Sequence, residues 1–491
     1  MPKIQPQMHP ASADPRTPCS PHPLQPRAWI AKHCAMQAWF TPPPLGDGVK
    51  MPQRILAIIT ICLAVTMAVM DSAIANVALP TIAVELGVSN AGSIWVVNSY
   101  QLAVTICLLP MASLGEIHGY QKVYRWGLLV FTLASGLCAL STSLPTLIGA
   151  RMLQGAGSAG ILSINTAMIR TVYPRAELGR GVGINAMVVA LAAAAGPTVA
   201  AAILSMAHWP WLFAVNLPIG VIALAISLIA LPVVPPARRA FDWISALLNA
   251  ATFGLLLIGV DDLARPGAGL GQAIELIGAA GFGTALVLRQ LSRSAPLLPI
   301  DLLRIPIFAL SALTSVAAFT GWALGYVALP FYFQRTLGRG EVASGLLMTP
   351  WPLGIMLVAP IAGRLADRYP VGILSSAGLA IFAAGLLGLA LMPASPSDLD
   401  IAWRMALAGT GFGFFQSPNN RAMITAAPRA RAGGAAGLLS MARLLGQTAG
   451  AALVALAFTL YPDTGTSLCL DLSVAITLAA LLVSATRLRG A

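Results

Sequence analysis

The sequence predicts an all-α polytopic membrane protein with fourteen transmembrane helices. Three observations predict it. Of 491 residues, 57% are hydrophobic and only 9% charged, with a mean hydropathy of +0.80. Soluble domains carry about 25% charged residues, so this excess reads as many membrane spans rather than one large core. Apolar stretches then follow one another near 55–79, 93–114, 124–142, 146–168, 182–206, 212–234, 243–261, 271–289, 306–332, 343–362, 371–392, 401–422, 434–459 and 470–486. Their lengths suit helical crossings of a bilayer, which take about 20 residues, and no soluble domain interrupts them. Finally, the basic residues are asymmetric. With the N-terminus in the cytoplasm, the cytoplasmic segments hold Arg54, Lys122, Arg125, Arg170, Arg175, Arg180, Arg238, Arg239, Arg289, Arg293, Arg304, Arg364, Arg368, Arg421, Arg429, Arg431, Arg487 and Arg489. The outer loops hold only Arg265, Arg335 and Arg339. A cytoplasmic excess of Lys and Arg marks topology, and an even number of spans returns the basic C-terminus to the same side.

Residues 1–50 form a Pro-rich tail, with PHPLQP and TPPPLG and no helical periodicity, a composition that suits disorder. It lacks the pattern of a signal peptide. Met36 and Met51 are alternative starts to Met1, and Met51 is followed by PQR and then the first span. The remainder divides into a six-span unit over 51–235, two additional spans over 236–300 and a second six-span unit over 301–491. An internal repeat supports this division. ASLGEIHG (Ala112–Gly119) follows span 2 and GRLADRYP (Gly363–Pro370) follows span 10, pairing Leu114 with Leu365 and Glu116 with Asp367. Arg151-Met152 with Gly155 and Gly157 in span 4 pairs with Arg404-Met405 with Gly409 and Gly411 in span 12. Parallel repeats of this kind rock against each other around a midplane site in secondary transporters.

Span 1 carries the most informative residue. Within ILAIITICLAVTMAVMDSAIANVALP stands one carboxylate, Asp71. A charge at that depth costs about 2.5–3.5 kcal/mol on insertion scales, so a protonatable site is expected; a polar tie to a neighbouring helix is the alternative. At about 1.5 Å per residue, Asp71 lies some 24 Å from the inner end of span 1 and Arg151 some 8 Å below the outer end of span 4. Both therefore fall in the outer half of a core about 30 Å thick. A guanidinium approaching or leaving a carboxylate changes its hold on a proton, which makes Asp71 and Arg151 a candidate proton-coupling pair.

The net charge of +12 does not indicate a nucleic-acid partner, because the basic residues are dispersed among short loops. The partners expected are the lipid bilayer, protons and a small molecule; the sequence does not specify a periplasmic adaptor. The six cysteines form no CxxC pair and the five histidines are scattered, so no metal site is expected. The Gly-rich spans follow no strand and there is no GxxxxGK[ST], so neither nucleotide binding nor direct ATP drive is indicated. No cofactor is expected beyond a proton gradient as the source of energy.

The run Asp71-Ser72-Ala73-Ile74-Ala75-Asn76-Val77-Ala78-Leu79-Pro80 resembles the span-1 signature of the fourteen-span drug/proton antiporters of the major facilitator superfamily. The loop after span 2 resembles the superfamily's GxLaDrxGrr motif in eroded form, with Glu116 for the Asp and Gly119 for the second Gly. Gly363-Arg364-Leu365-Ala366-Asp367-Arg368 is the fuller copy. Arg151-Met152-Leu153-Gln154-Gly155 resembles the span-4 motif. Gly183, Ala192, Gly196-Pro197, Ala200 and Ala201 match the spacing of the span-5 antiporter motif, with three glycines replaced by alanine, and HWPWLFAVNLPIG (His208–Gly220) resembles the family's WRWxFxiNvPiG. The resemblance covers roughly residues 55–486. It implies the major facilitator fold, two six-helix bundles plus two inserted central helices, in the bacterial inner membrane.

It also implies proton-driven export of drug-like or amphipathic compounds, with Asp71 and Arg151 coupling the proton. Asn76, Trp95, Asn98, Gln101, Gln154, Phe415, Gln416 and Arg443 are candidates for the substrate cavity. Glu116, Gly119, Gly196, Pro197, Gly363, Arg364, Asp367 and Arg368 are candidates for conformational motifs, the acidic ones as charge-assisted latches between bundles. A carrier dedicated to one metabolite, sugar or siderophore is the alternative. An integral-membrane enzyme is a remote one, for which Asp261-Asp262 is the nearest acidic pair.

Overall fold

The computed structural model describes residues 48–174, 177–234, 240–262, 270–291, 300–428 and 432–487. The N-terminal tail expected to be disordered lies almost entirely outside them, as do Arg175, Arg238, Arg239, Arg265, Arg293, Arg429, Arg431 and Arg489. Among the described residues, fourteen long helices cross the molecule. They are α1 Gln53–Glu85, α2 Asn90–His118, α3 Tyr120–Ala139, α4 Leu144–Val172, α5 Leu178–Leu204, α6 Trp211–Ala230, α7 Trp243–Asp262, α8 Leu270–Leu291, α9 Pro306–Phe331, α10 Glu341–Leu365, α11 Val371–Ala390, α12 Asp398–Ala426, α13 Ala432–Leu460 and α14 Gly465–Thr486. An even number of crossings puts the end of α14 on the side where α1 begins, called here the terminal side; the opposite one is the far side.

Several expected spans differ in detail. α6 pauses at Val215 and α10 at Thr349, just before Pro350 at the start of its longer piece. Proline at the first helical position suits such a restart. α9 runs on into a π-helical turn over Tyr332–Thr336. By length and composition eleven helices among the described residues are apolar enough to cross a membrane. α3, α4 and α12 fall short because they carry polar and charged groups, including Arg151 and Gln154 in α4 and Asn419 in α12.

α1–α6 pack together, and so do α9–α14. Close helix approach within each unit uses small residues, as expected where lipid removes most of the hydrophobic drive between helices. A Cβ on Gly127 of α3 would lie 2.9 Å from the carbonyl oxygen of Gly157 in α4. Gly119, at the turn from α2 to α3, is required for its conformation: it has φ +98° and caps both helices. Large apolar side chains such as Leu133, Leu228 and Ile277 face outward, where hydrocarbon is the expected solvent.

The two inserted helices form a hairpin, α7 against α8, and α7 rests on α2 and α13 at the junction of the two units. Asn249 of α7 donates to the Ile106 carbonyl of α2 at 3.0 Å. On the terminal side a polar staple closes the hairpin: Arg289 pairs with Asp242 at 2.9 Å, and Ser245 donates to Asp242 while accepting from Gln290. Partial burial pushes the Asp242 carboxyl up, but the bonds from Arg289 and Ser245 outweigh it and hold the pKa at about 2.

Candidate functional site

Two adjoining features occupy the middle of the molecule. The first is a buried charge pair inside the N-terminal unit. Asp71, midway along α1, is 1% exposed, and Arg151 from α4 is fully buried. Arg151 Nη1 donates to Asp71 Oδ2 at 2.5 Å and to Gln154 Oε1, while its Nε donates to the Val96 carbonyl of α2 at 3.0 Å. Asp71 Oδ1 accepts from Gln154 Nε2 and from Asn216 Nδ2 of α6, each at 2.9 Å. Gln154 is itself anchored to Ser135 of α3 at 2.8 Å. The guanidinium lies 4.3 Å over the Tyr100 ring and 5.4 Å from that of Phe213.

Burying two charges costs several kcal/mol per ion, offset only by close geometry and further hydrogen bonds. The amides of Gln154 and Asn216 supply those bonds here. Residues of five helices (α1, α2, α3, α4 and α6) thus join one cluster, with α4 and α6 bonding the carboxylate directly and α2 and α3 bonding Arg151 and Gln154. The helical rise had put Asp71 and Arg151 at similar depth, and the packing of α1 against α4 brings them into contact.

The second feature is a cavity of about 470 Å³ between the two units, lined by α1, α2, α4 and α5 on one side and by α9, α10, α12 and α13 on the other. It is closed at the far side, where α5 meets α10. Thr198 and Thr349 share a hydrogen bond of 2.9 Å, and a Cβ on Gly345 would lie 2.8 Å from the Pro197 carbonyl oxygen. From this closure the lining extends towards the terminal side, along Ala193 to Ala186 of α5 and Trp351 to Ala359 of α10. Ser72 lines the cavity whereas Asp71, one residue earlier, points into the N-terminal unit. Tyr100 stands between the two features: it lines the cavity, lies under the Arg151 guanidinium and donates to Ser158 Oγ at 2.7 Å.

Of the eight residues expected in the cavity, Asn76, Gln101, Gln416 and Arg443 line it. The other four belong elsewhere. Gln154 is taken up by the Asp71 cluster. Trp95 packs against Leu102, Leu257 and Ala452, where α2 meets α7 and α13, so the inserted hairpin covers it. Asn98 is buried in α2 outside the lining. Phe415 is fully buried on the face of α12 that Gly378 of α11 approaches, with its ring 5.9 Å from Phe412.

Sequence reasoning missed the aromatic wall of Phe319, Trp322 and Tyr326 from α9, Trp351 from α10 and Phe412 from α12. Phe319, Trp322 and Tyr326 are spaced by three and four residues, one helix face, which was the available signal. It also missed Asn216, although that residue stands in the NLPIG run after the outer loop.

The conformational motifs are also located. Gly196 of α5 meets α1: a Cβ there would lie 2.5 Å from that of Ala73, and Pro197 next to it forms part of the far-side closure. Gly183 has open space around it. Asp367 pairs with Arg421 of α12, so this latch ties α10 to α12 within the C-terminal unit, rather than joining the two units. Both residues are exposed, the setting in which an ion pair adds little stability. Gly363 sits beside Ser417, and Arg364 and Arg368 are exposed, as is Glu116 at the end of α2. Arg404, the repeat partner of Arg151, bonds instead to Asp400 on its own helix at 3.0 Å. Asp261 and Asp262 end α7, and their side chains lie outside the described residues.

Two helical units enclosing a cavity within a membrane-crossing fold define a polytopic carrier. The chain belongs to the major facilitator superfamily, whose family model matches residues 61–451. It is 52% identical over 452 residues to the protein named Uncharacterized transporter YebQ of Escherichia coli (strain K12), covering 90% of this chain and 97% of that one. It is 31% identical over 405 residues to Riboflavin transporter RibZ of Clostridioides difficile (strain 630), covering 82% and 88%. It is 30% identical over 405 residues to Multidrug resistance protein Stp of Mycobacterium tuberculosis (strain ATCC 25618 / H37Rv), covering 82% and 75%. Among solved structures, a POT family transporter in complex with 5-aminolevulinic acid matches with a TM-score of 0.62 at 14% identity, over 89% of this chain and 95% of that one. At that identity the likeness is one of fold.

Proposed function

We propose that this carrier is a proton-coupled antiporter that exports drug-like or amphipathic compounds across the bacterial cytoplasmic membrane, with both termini in the cytoplasm. The observation that carries the reading is the buried Asp71–Arg151 pair, set one aromatic ring away from a cavity between the two units. A carboxylate at Asp71 holds the Arg151 guanidinium; the neutral acid does not hold it by charge. Proton arrival therefore loosens Arg151 from α1 and alters what rests on it, including the Val96 carbonyl and the Tyr100 ring that walls the cavity. That gives the proton a route to the cavity's shape without direct contact with cargo. A mostly apolar cavity with a few polar groups suits loose selectivity.

The basic residues on the terminal side support a cytoplasmic location for both ends. Relatives named for multidrug resistance support the export reading. The relative named as a riboflavin transporter favours the second reading, a carrier dedicated to one metabolite.

The test is proton movement in everted vesicles carrying wild type or Asp71→Asn. A dye reports luminal acidity while cationic, neutral and acidic aromatic compounds are added in turn. The expected result is that at least one compound dissipates the gradient in wild type and none does in Asp71→Asn. Equal dissipation by both proteins rules out Asp71 as the coupling site. Silence of wild type across the panel rules out broad export and leaves the dedicated carrier.

A further inference from the structure

Among the described residues that line the cavity, Arg443 of α13 is the only charged side chain, and no carboxylate accompanies it. It makes no hydrogen bond, ion pair or ring contact with any described residue, and its Nε is buried without an acceptor. Arg151 differs in having a carboxylate: its Nη1 and Nε bond to Asp71, Gln154 and Val96, and only its Nη2 is buried without an acceptor. Arg443 is half-buried with no counter-charge beside it, an arrangement that is costly in an apolar cavity, and Asp71 cannot supply that charge because it is 1% exposed and held inside the N-terminal unit.

The surroundings add donors and flat surface. Trp322 lines the cavity, and its Nε1–H is buried without an acceptor. Trp322 stacks on Tyr326 at 4.8 Å with 14° between the rings, and Phe412 lies 6.2 Å from Trp322. Phe319 packs edge-on to Phe412 at 5.0 Å. The cavity thus joins a surplus of hydrogen-bond donors to an aromatic wall. A guanidinium fork complements a carboxylate with two parallel bonds, and aromatic rings take up a planar apolar body by offset or edge contact.

We propose that Arg443 is the anchor for an anionic group on the cargo, and that the cargo class is planar aromatic acids. This rests on the reading of the cavity as the transport site. It narrows the term amphipathic: the charged end that the site accepts is negative, and an amphipathic cation meets a like charge there.

The test is equilibrium binding to the purified full-length protein in lipid nanodiscs, followed by fluorescence anisotropy of three probes with one ring system. They are 9-anthracenecarboxylate, its neutral carboxamide and 9-anthracenemethylammonium. In wild type the carboxylate is expected to bind at least tenfold more tightly than the carboxamide, and the ammonium more weakly than both. Arg443→Gln should erase the preference for the carboxylate while retaining binding of the carboxamide, which shows that the cavity is intact. Arg443→Lys should keep part of the preference. The proposal is overturned if the three probes bind equally, if the ammonium binds most tightly, if Arg443→Gln or Arg443→Lys retains the full wild-type ratio, or if wild type binds none of them. Binding is read without a proton gradient. A failure here with intact proton movement in the vesicle test removes the anion anchor alone, and the reverse removes the coupling alone.

Discussion

Thr198 of α5 and Thr349 of α10 bring their hydroxyl oxygens to 2.9 Å across the boundary between the two six-helix units. The contact marks the far-side closure of the cavity, because the lining extends from there in one direction only. Disulfides need Cβ atoms about 3.5–4.5 Å apart, and hydroxyls 2.9 Å from each other bring the two Cβ atoms near that range. In a background with the native cysteines replaced, Thr198→Cys/Thr349→Cys should cross-link under mild oxidant and lose transport, and reductant should restore it. Absence of cross-linking would show that the two positions do not meet in the membrane, and transport that continues through the linked state would show that this contact does not open during turnover.

The Asp71–Arg151 pair makes a prediction about stability that is separate from transport. Arg151→Met leaves the Asp71 carboxylate buried with only the amides of Gln154 and Asn216 as donors. Removing one partner of a buried pair costs about 3–5 kcal/mol. Arg151→Met should therefore unfold at a markedly lower temperature in detergent. Adding Asp71→Asn should recover much of the loss, since the double variant has no uncompensated charge. Additive losses would mean that the two residues are energetically independent.

The staple between α7 and α8 is sensitive to acid. The Asp242 pKa, about 2 in the folded protein against 3.8 for a free carboxyl, is depressed by its bonds to Arg289 and Ser245. A depressed carboxyl stabilises the fold above its unfolded value, and that contribution disappears as pH falls from about 3.8 through about 2. Wild type should melt above Asp242→Asn at pH 5, and the gap should narrow below about pH 3.8 and close as pH falls through about 2. A gap that does not change with pH would assign the role of Asp242 to shape rather than charge.

The fold was legible because a bilayer imposes strong rules on sequence. Length, apolarity and the distribution of arginine fixed fourteen crossings, even where α3, α4 and α12 carry too many polar groups to qualify by hydropathy alone. The charge pair was legible as well, because Asp71 and Arg151 are conspicuous in apolar surroundings and the helical rise set their depths. The cavity was only half legible. Depth along a helix does not say which way a side chain turns, so Gln154, Asn98 and Phe415 looked as eligible as Gln101 and Gln416. Trp95 is covered by α7, an insertion whose docking site is not written in α2 itself. The aromatic wall was overlooked because aromatic residues at helical spacing in apolar spans more often face a core. The latch formed by Asp367 pointed to the wrong neighbour for a related reason: a loop motif shows that an acid is available and says nothing of which helix end it meets.

Tyr100 divides the centre of the protein into two electrical compartments. On one side the charge of Asp71 is balanced by Arg151; on the other, Arg443 stands unbalanced. Because the two never cancel, a proton carried inward and a monoanion carried outward would both move with the membrane voltage, two elementary charges per cycle. For one proton exchanged per anion, at about 2.3 kcal/mol per charge for each 100 mV, a voltage of about 100 mV would contribute about 4.6 kcal/mol to every turnover, so that export would persist when the pH difference across the membrane has vanished.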